Sequence, residues 1–518
     1  MADLTRGVRS FTLGTAISRV TGLFREMVFA YLYGANTSTD AFQASFRFLD
    51  LLRDLFAETT LSSAIIPILT EEKNKGKSQQ NLLASNIFNL LFIIVGIVTI
   101  LCIIFSPYFV RIIAFGFVNI PGKIELTTQL TRIIFPFLLF IAFAAWAMSY
   151  LNTENKFFIP AVAPAWFNVF SIIVPIILYN YLAGKNVDPI YGMAYGVIIG
   201  GLMQFSIQIP ALLKSGFRYK FYINLKDPAL KSVVLLFIPL AVGLASSRIN
   251  VMVDTIMTSF LEERSMTWLH YAFRIMHLPM GLFGIAVGAV ALPSLSRLVV
   301  ENKQSELQKT LLDSLKLVFF LTILSSMFIM FFSYPITKII YQRGKFQAID
   351  TSATASALIF YIIGVPFASG LRNIAVAFYA LKDSRTPMYV SLGMVGLNVI
   401  LNYLLMHLIS FRGIALATSI SVFFNFVILL SIIPKKIGGL HIKELLHYIL
   451  HITVGSIISN FLGITLFNFL VAKFSLNLLF QLIVLILFAG FVLLFFYFYC
   501  KIFNIKDALR FLKQLFRK

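Results

Sequence analysis

Charged and hydroxyl side chains that can bind an anion stand inside the first two apolar segments of this chain. An arginine near the middle of a bilayer costs roughly 3 kcal/mol or more, so such residues normally face a water-filled cavity and serve a function. The planar guanidinium of arginine also matches phosphate oxygens with paired hydrogen bonds. We therefore expect a wet, cationic cavity that binds an anionic cargo, lined by Ser18, Arg19, Arg25, Glu26, Asp40, Arg47, Asp50, Arg53, Asp54 and Glu58.

The spacing of these residues places them on shared helix faces. Residues seven apart lie on one face of an α-helix, so Arg19 aligns with Glu26 and Ser18 aligns with Arg25. The two stripes are adjacent and can border a single cavity. Arginines interspersed with acids suit a binding site that stays partly neutral when it is empty.

A second stripe lies in the second segment, where Asp40, Arg47 and Asp54 are also spaced by seven and Asp50 lies beside them. Two interpretations of this stripe remain open. In the first, the residues line the cavity. In the second, Arg47 forms salt bridges with Asp50 or Asp54 that only fix the packing of helices.

Composition determines the class of protein. The chain has 518 residues, of which 59% are hydrophobic and 13% are charged, whereas soluble proteins are roughly 25% charged. Apolar runs of roughly 20 residues recur along the whole chain, and the window rule for hydropathy gives about fourteen of them. The sequence therefore predicts an all-α polytopic membrane protein with about 14 transmembrane helices.

The net charge of +21 could indicate a nucleic-acid partner, but its distribution argues against one. Lysines and arginines concentrate in alternate loops, as in residues 214–231 between segments six and seven. Positively charged loops stay in the cytoplasm. We therefore predict that both termini are cytoplasmic and that the protein binds no nucleic acid.

An internal repeat extends through the first twelve segments. Ser18-Arg19 aligns with Ser247-Arg248, and Phe46-Arg47 aligns with Phe273-Arg274, at nearly constant spacing. Because each repeat spans six helices, both halves begin on the same side of the membrane. Transporters built from such repeats bind their substrate at the interface between the halves and rock one half against the other. Arg274 is therefore a further candidate for the anion site.

Four regions follow from this pattern: an N-terminal six-helix bundle (1–222), a C-terminal six-helix bundle (223–440), helices 13 and 14 (441–500) and an amphipathic tail (501–518). Helices 13 and 14 are nearly free of charge and are suited to line a lipid-filled groove. Basic and apolar residues are interleaved in the tail. This pattern predicts a helix that lies on the anionic cytoplasmic leaflet.

A second polar cluster offers oxygen ligands for a cation. Asp254 lies in segment seven, Asn398 and Asn402 are one turn apart in segment eleven, and Thr418 lies in segment twelve. Such oxygen ligands suit a small hard cation, for which sodium is the candidate. The alternative is hydrogen bonding between helices, which is common for asparagine in membrane bundles. No phosphate-cradling glycine loop and no nucleophile elbow occur, so we expect a transporter and not an enzyme.

Several motifs resemble those of the MurJ/MviN family of bacterial lipid II flippases, within the multidrug/oligosaccharidyl-lipid/polysaccharide exporter superfamily. The resemblance begins near residue 10 and is most specific in the first eighty residues. It rests on Ser18-Arg19-Val20-Thr21-Gly22-Leu23-Phe24-Arg25-Glu26, Thr39-Asp40-Ala41-Phe42, Leu51-Leu52-Arg53, Phe56-Ala57-Glu58, Leu151-Asn152-Thr153 and Leu292-Pro293-Ser294-Leu295-Ser296.

The resemblance implies a protein of the bacterial cytoplasmic membrane that moves lipid II, the undecaprenyl-pyrophosphate-linked peptidoglycan precursor, from the inner to the outer leaflet by alternating access. Helices 13 and 14 would hold the polyprenyl tail. The implied partners are lipid II, membrane lipids and cell-wall synthesis proteins. The residues implied to contact the headgroup are Arg19, Arg25, Arg53 and Arg274, and Asp40 and Glu58 fall on positions that the family also uses.

The resemblance also supports sodium as the one candidate cofactor. It adds the backbone carbonyl of Ile414 to the four predicted ligands Asp254, Asn398, Asn402 and Thr418.

Three other functions are alternatives to this one. An ion-coupled exporter of another anionic lipid-linked oligosaccharide, or of soluble compounds, fits the cavity; for a soluble cargo there is little need for helices 13 and 14. A membrane-embedded glycosyltransferase needs a sizeable extracytoplasmic loop, which the sequence lacks. A scaffold for cell-wall enzymes would tolerate alanine at Arg25 and Arg274.

Overall fold

Every regular element is helical in the part of the chain that the computed structural model describes, residues 2–56, 58–474 and 477–516. The side chains of residues 2–10, 55–60, 240, 242–248, 285–286, 289, 479 and 513–516 lie outside this description. The predicted all-α class is confirmed.

The first of two compact units comprises Met1–Thr267 together with Arg343–Phe346. Its long helices are joined by short connections, and several spans are broken into two helices by a kink. The helices are α1 (Ala2–Tyr33), α2 (Thr37–Phe56), α3 (Glu58–Lys75), α4 (Lys77–Ile104), α5 (Ser106–Ile113), α6 (Lys123–Ile134), α7 (Phe137–Thr153), α8 (Phe158–Gly184), α9 (Ile190–Ser206), α10 (Ile209–Lys214) and α11 (Pro228–Ser259).

The second unit comprises Trp268–Gln342 and Gln347–Lys518. Helix α12 starts at the end of the first unit and continues into the second. The helices are α12 (Ser265–Pro279), α13 (Ile285–Val300), α14 (Gln304–Phe331), α15 (Ser333–Tyr341), α16 (Ala348–Ile362), α17 (Val365–Ala380), α18 (Arg385–Ile409), α19 (Phe411–Ile437), α20 (Ile442–Phe474), α21 (Leu478–Ile502) and α22 (Lys506–Phe516).

The packing inside the second unit repeats the packing inside the first. Helices α3 and α4 pack on α7, as α13 and α14 pack on α17, and α9 packs on α6 and α8, as α19 packs on α16 and α18. This order supports the internal repeat. The compact units nevertheless divide at residues 267/268, whereas the predicted regions divide at 222/223, because α11 packs on α2 and α3 of the first unit.

Ten helical spans within the described residues are long and apolar enough to cross a membrane. They coincide with ten of the predicted segments. The other predicted segments correspond to α1, α2 with α3, α11, and α12 with α13, and the charged residues singled out in the sequence lie mainly on these helices. The protein is therefore a multi-pass membrane protein, and the number fourteen stays a prediction.

The tail helix α22 packs on the protein. Ala508, Phe511 and Leu512 are buried in one apolar cluster with residues of α14, α20 and α21. At its edge the buried Lys316 of α14 donates hydrogen bonds to Glu444 of α20 and to Asp507 of α22, the latter at 2.7 Å. The described apolar face of α22 is thus covered by helices of the same unit, whereas the sequence pattern predicted a membrane-surface helix.

Polar side chains of α4 hold the irregular linker between α10 and α11 in place through its backbone groups. Asn86, which is fully buried, donates through Nδ2 to the carbonyl of Asn224 and accepts from its N–H, both at 3.0 Å. Ser85 accepts from the N–H of Lys220 at 3.1 Å, and Asn89 donates to the carbonyl of Tyr222 at 3.0 Å. These bonds replace the ladder that a neighbouring strand would supply.

We expect Asn86→Ala to release this linker. The change removes two hydrogen bonds, each worth about 1 kcal/mol, and local opening should rise about tenfold or more. Limited trypsin digestion at Arg218, Lys220 and Lys226 measures the open population. Gln79→Ala, on an exposed position of the same helix, serves as the control. Equal digestion rates for the two variants would contradict the role of Asn86.

Candidate functional site

Helix α8 holds α1 in place at the predicted anion site. Asn168 Nδ2 donates to the carbonyl of Ser18 at 3.0 Å and to Thr21 Oγ1 at 3.2 Å. Ser18 therefore contributes a backbone oxygen to helix packing. The amide of Asn168 is buried, so these bonds also satisfy a group that would be costly to leave without partners.

Arg25 lies in a compact pocket of the first unit with its acidic neighbour. Its Nη2 donates to Glu26 Oε1 at 2.6 Å, and both side chains are nearly buried, with exposures of 12% and 8%. The guanidinium lies 5.2 Å from the ring centre of Phe167 on α8. Such a contact with a ring face adds a favourable cation–π term.

A glycine on α9 allows this arrangement. A Cβ on Gly200 would lie 2.7 Å from the carbonyl oxygen of Phe167 and 2.9 Å from its ring, which is closer than real contacts allow. The close approach of α8 and α9 thus depends on Gly200. It sets the position of the aromatic ring beside Arg25.

Arg53 on α2 is held between two acids. It contacts Asp50 at 2.9 Å and Asp54 at 3.4 Å, and about a third of its side chain (33%) is exposed. Both of these acids belong to the same helix as Arg53, so the two contacts do not tie α2 to another helix. Arg47 lines a small cavity with these three residues, and α5 and α11 close its other sides.

This cavity has a volume of about 50 Å³. A water molecule needs at least about 10–15 Å³ on the same measure, so the cavity has room for a few waters only. A saccharide headgroup does not fit here in the conformation described. Two arginines and two acids of α2 thus line one small cavity, and Arg53 is paired with both acids.

Asp40 lies in a closed network and not on a cavity wall. Its Oδ2 accepts from Lys123 Nζ at 3.2 Å and from the N–H of Arg264 at 2.8 Å. Its Oδ1 accepts from the hydroxyl of Thr267 at 2.7 Å and from the N–H of Thr267 at 3.0 Å. A carboxylate has about four lone-pair positions, so the buried Asp40 has no capacity left for a ligand in this state. The network joins α2 and α6 to the residues that begin α12.

Lys123 was not singled out by the sequence patterns. It is the first residue of α6, is 1% exposed, and lies 3.9 Å from the ring centre of Phe117 in addition to its contact with Asp40. A usable signal was present, since this lysine directly follows Pro121-Gly122 and begins a span that is apolar enough to cross a membrane. The sequence did not indicate that this lysine is buried.

Three further residues were predicted to line the anion site: Arg19, Arg274 and Glu58. Arg19 is exposed on α1 and, among the residues that the structure describes, forms no ion pair with a carboxylate. Arg274 is exposed on α12 and belongs to the second unit. Glu58 begins α3, but its side chain lies outside the described part of the chain.

The predicted cation ligands fall into two sets. Asn398 and Asn402 are buried on α18, and Asn402 Nδ2 donates to Asn398 Oδ1 at 3.1 Å. On the neighbouring helix α19, Thr418 Oγ1 donates to the carbonyl of Ile414 at 3.1 Å. The oxygens have the right chemistry for a hard cation, but they bond with one another. Asp254 is part of α11 in the first unit.

We expect the pair of Asp40 and Lys123 to show strong coupling in a double-mutant cycle. Removing one partner of a buried ion pair leaves an uncompensated charge and costs about 3–5 kcal/mol. Asp40→Asn and Lys123→Met should therefore each lower the midpoint of thermal unfolding of the purified protein strongly, and the double variant by clearly less than the sum.

Lys185→Met, at an exposed lysine, should leave the unfolding midpoint nearly unchanged. Additive effects of Asp40→Asn and Lys123→Met would show that the two side chains do not depend on each other.

Comparison with known proteins places these features in a family. The family model described as "Lipid II flippase MurJ" matches residues 29–488. The chain is 34% identical over 442 residues to a probable lipid II flippase MurJ of Vibrio cholerae, covering 84% of this chain and 82% of the relative. It is 31% identical over 439 residues to the lipid II flippase MurJ of Burkholderia cenocepacia, covering 84% of each chain.

Solved structures agree with this result. A lipid II flippase MurJ in an inward-closed conformation is similar with a TM-score of 0.77 and 29% identity, over 95% of this chain and 99% of that one. An inward-facing multidrug resistance transporter of the MATE family in the MOP superfamily has a TM-score of 0.67 at 14% identity, over 83% of this chain and 98% of that one, which shows a shared fold. The chain belongs to the lipid II flippase MurJ family.

Proposed function

We propose that this protein moves lipid II across the membrane, from the inner to the outer leaflet of the bacterial cytoplasmic membrane, by alternating access and without making a chemical bond. The names of its relatives and its membership of their family support this function. The cargo would be the undecaprenyl-pyrophosphate-linked precursor used for peptidoglycan synthesis.

The observation that carries the proposal is the state of the arginines in α1 and α2. Arg25 and Arg53 are neutralised by carboxylates one to three residues away, whereas Arg19 is exposed among the exposed apolar side chains Ile17 and Val20. A cation in such a place needs water or an anionic ligand beside it. The pyrophosphate of lipid II carries the matching charge.

Binding would then proceed by exchange of partners. The pyrophosphate oxygens would first meet Arg19, and Arg25 and Arg53 would then turn from Glu26 and Asp50 towards the ligand. Guanidinium groups bind phosphate oxygens in a paired geometry, which favours arginine over lysine at these positions. Loss of net charge would favour closure and the outward rocking of the halves. Arg274, Arg47, Ser18 and Glu58 complete the proposed lining.

The remaining parts of the cargo have proposed places as well. We infer that α20 and α21, which are long and apolar enough to cross a membrane and are mostly not buried inside the protein, hold the polyprenyl tail. The charge of the loops supports cytoplasmic termini.

A sodium ion held by Asn398, Asn402, Ile414 and Thr418, with Asp254, would supply a positive charge. It would have to compete with the bonds that these side chains form with one another.

We expect the wild-type protein to rescue a bacterium that is depleted of its own lipid II flippase. Arg19→Ala, Arg25→Ala and Arg274→Ala should each fail to rescue at matched membrane levels, because each removes a cation that meets the pyrophosphate. Arg297→Ala, at an exposed arginine that pairs with Glu301, is the control and should still rescue.

Growth after depletion measures the outcome. Rescue by all three alanine variants would show that the arginines do not bind the cargo. Failure of well-expressed wild-type protein would favour the alternative function, export of another anionic lipid-linked oligosaccharide.

A further inference from the structure

The linker held by α4 presents a row of basic and large apolar side chains on its outer side. We call this row the linker strip: Arg218, Lys220, Phe221, Ile223, Leu225 and Lys226. Phe221 is 80% exposed and Leu225 is 68% exposed. Side chains on the inner side are packed, since Phe217 contacts the rings of Trp146 and Tyr150. Large aromatic and aliphatic groups that are exposed on a segment with a fixed backbone are unusual next to water.

The linker lies beside α4 just before the point at which the large apolar side chains of this helix become exposed. Side chains of α4 from Asn81 to Leu91 are buried or half-buried, and its large apolar side chains become exposed from Phe92 onward. The linker reaches Asn89, which accepts a hydrogen bond from Tyr219 at 2.8 Å and donates to Tyr222. Three residues of helix are about 4.5 Å. The part of the linker that contacts Asn89 therefore lies at the border of the surface of α4 that faces hydrocarbon.

The linker and the helix ends beside it are strongly basic. Lys214, Arg218, Lys220, Lys226 and Lys231 are exposed, and none of them forms an ion pair within the described residues. The single acid, Asp227, accepts from the N–H of Ala229 at 2.9 Å and caps α11. Basic residues beside aromatic ones at an interface are attracted by anionic headgroups and anchored by the rings.

We propose that the linker strip is a lipid-binding surface that inserts Phe221 into the headgroup region of the cytoplasmic leaflet and gathers anionic phospholipids around Arg218, Lys220 and Lys226. The orientation rests on the proposed function. Hydrogen bonds with Asn86, Ser85 and Asn89 hold the linker in place before lipid binds, so less conformational entropy is lost on binding.

Tryptophan fluorescence of the full-length protein in liposomes tests the insertion. Phe221→Trp is read with lipids brominated near the top of the acyl chain, and the wild-type protein with its three tryptophans supplies the background. Phe92→Trp reports a lipid-exposed position and Lys303→Trp reports a loop. We expect bromine to quench Phe221→Trp nearly as strongly as Phe92→Trp. Quenching as weak as that of Lys303→Trp would overturn the proposal and would indicate that the strip binds a soluble partner and not lipid.

A second measurement tests the preference for anionic lipid. The protein is assembled in nanodiscs of phosphatidylcholine with phosphatidylglycerol, and the phosphatidylglycerol bound to it is measured. Replacing the three basic residues of the strip by glutamine should lower this enrichment by about twofold or more.

The matched variant R297Q/K303Q/K309Q removes the same charge from another exposed region. An equal loss with this variant would show that only net charge matters and would overturn a specific site. Because neither readout requires transport, the proposal stands or falls separately from flipping.

Discussion

The cost of placing arginine in hydrocarbon governs the structure of the charged half of this protein. Each described arginine of α2 and the buried arginine of α1 lies beside acids of the same helix, and Arg25 contacts Glu26 while Arg53 contacts Asp50 and Asp54. Pairing within a helix has a useful property. It neutralises the cation without tying one helix to another, so the partner can be exchanged for a ligand without breaking the packing.

The packing itself depends on different residues. Asn168 fixes α8 against α1, Gly200 lets α9 approach α8, and the ring of Phe167 between them contacts Arg25. The saturated carboxylate of Asp40 joins α2 and α6 to the start of α12. Asp50 and Asp54 beside Arg53 are partly accessible, whereas Asp40 and Lys123 are buried. An acid with four donors stabilises a state of the protein better than it binds a ligand.

Some of these features followed from the sequence and others did not. Hydropathy located the helices, and matching motifs located the repeat, because both depend on local pattern. The contact of Lys123 with Asp40 spans 83 residues, and the contacts of Lys316 with Glu444 and Asp507 span 128 and 191. No local pattern encodes such pairs. The amphipathic pattern of α22 correctly indicated an apolar face, but it could not tell whether protein or lipid covers that face. The asparagines of α4 gave no periodic signal, since their partners are backbone groups of an irregular linker.

The most direct test of the central claim is to measure transbilayer movement in proteoliposomes that contain the purified protein. Lipid II is compared with a neutral polyprenyl glycolipid of the same tail length and sugar content. If paired arginines exchange their acids for pyrophosphate, lipid II should cross well above the rate in protein-free liposomes, and the neutral lipid should not. Equal movement of both lipids, or no movement of lipid II above the protein-free rate, would contradict the account.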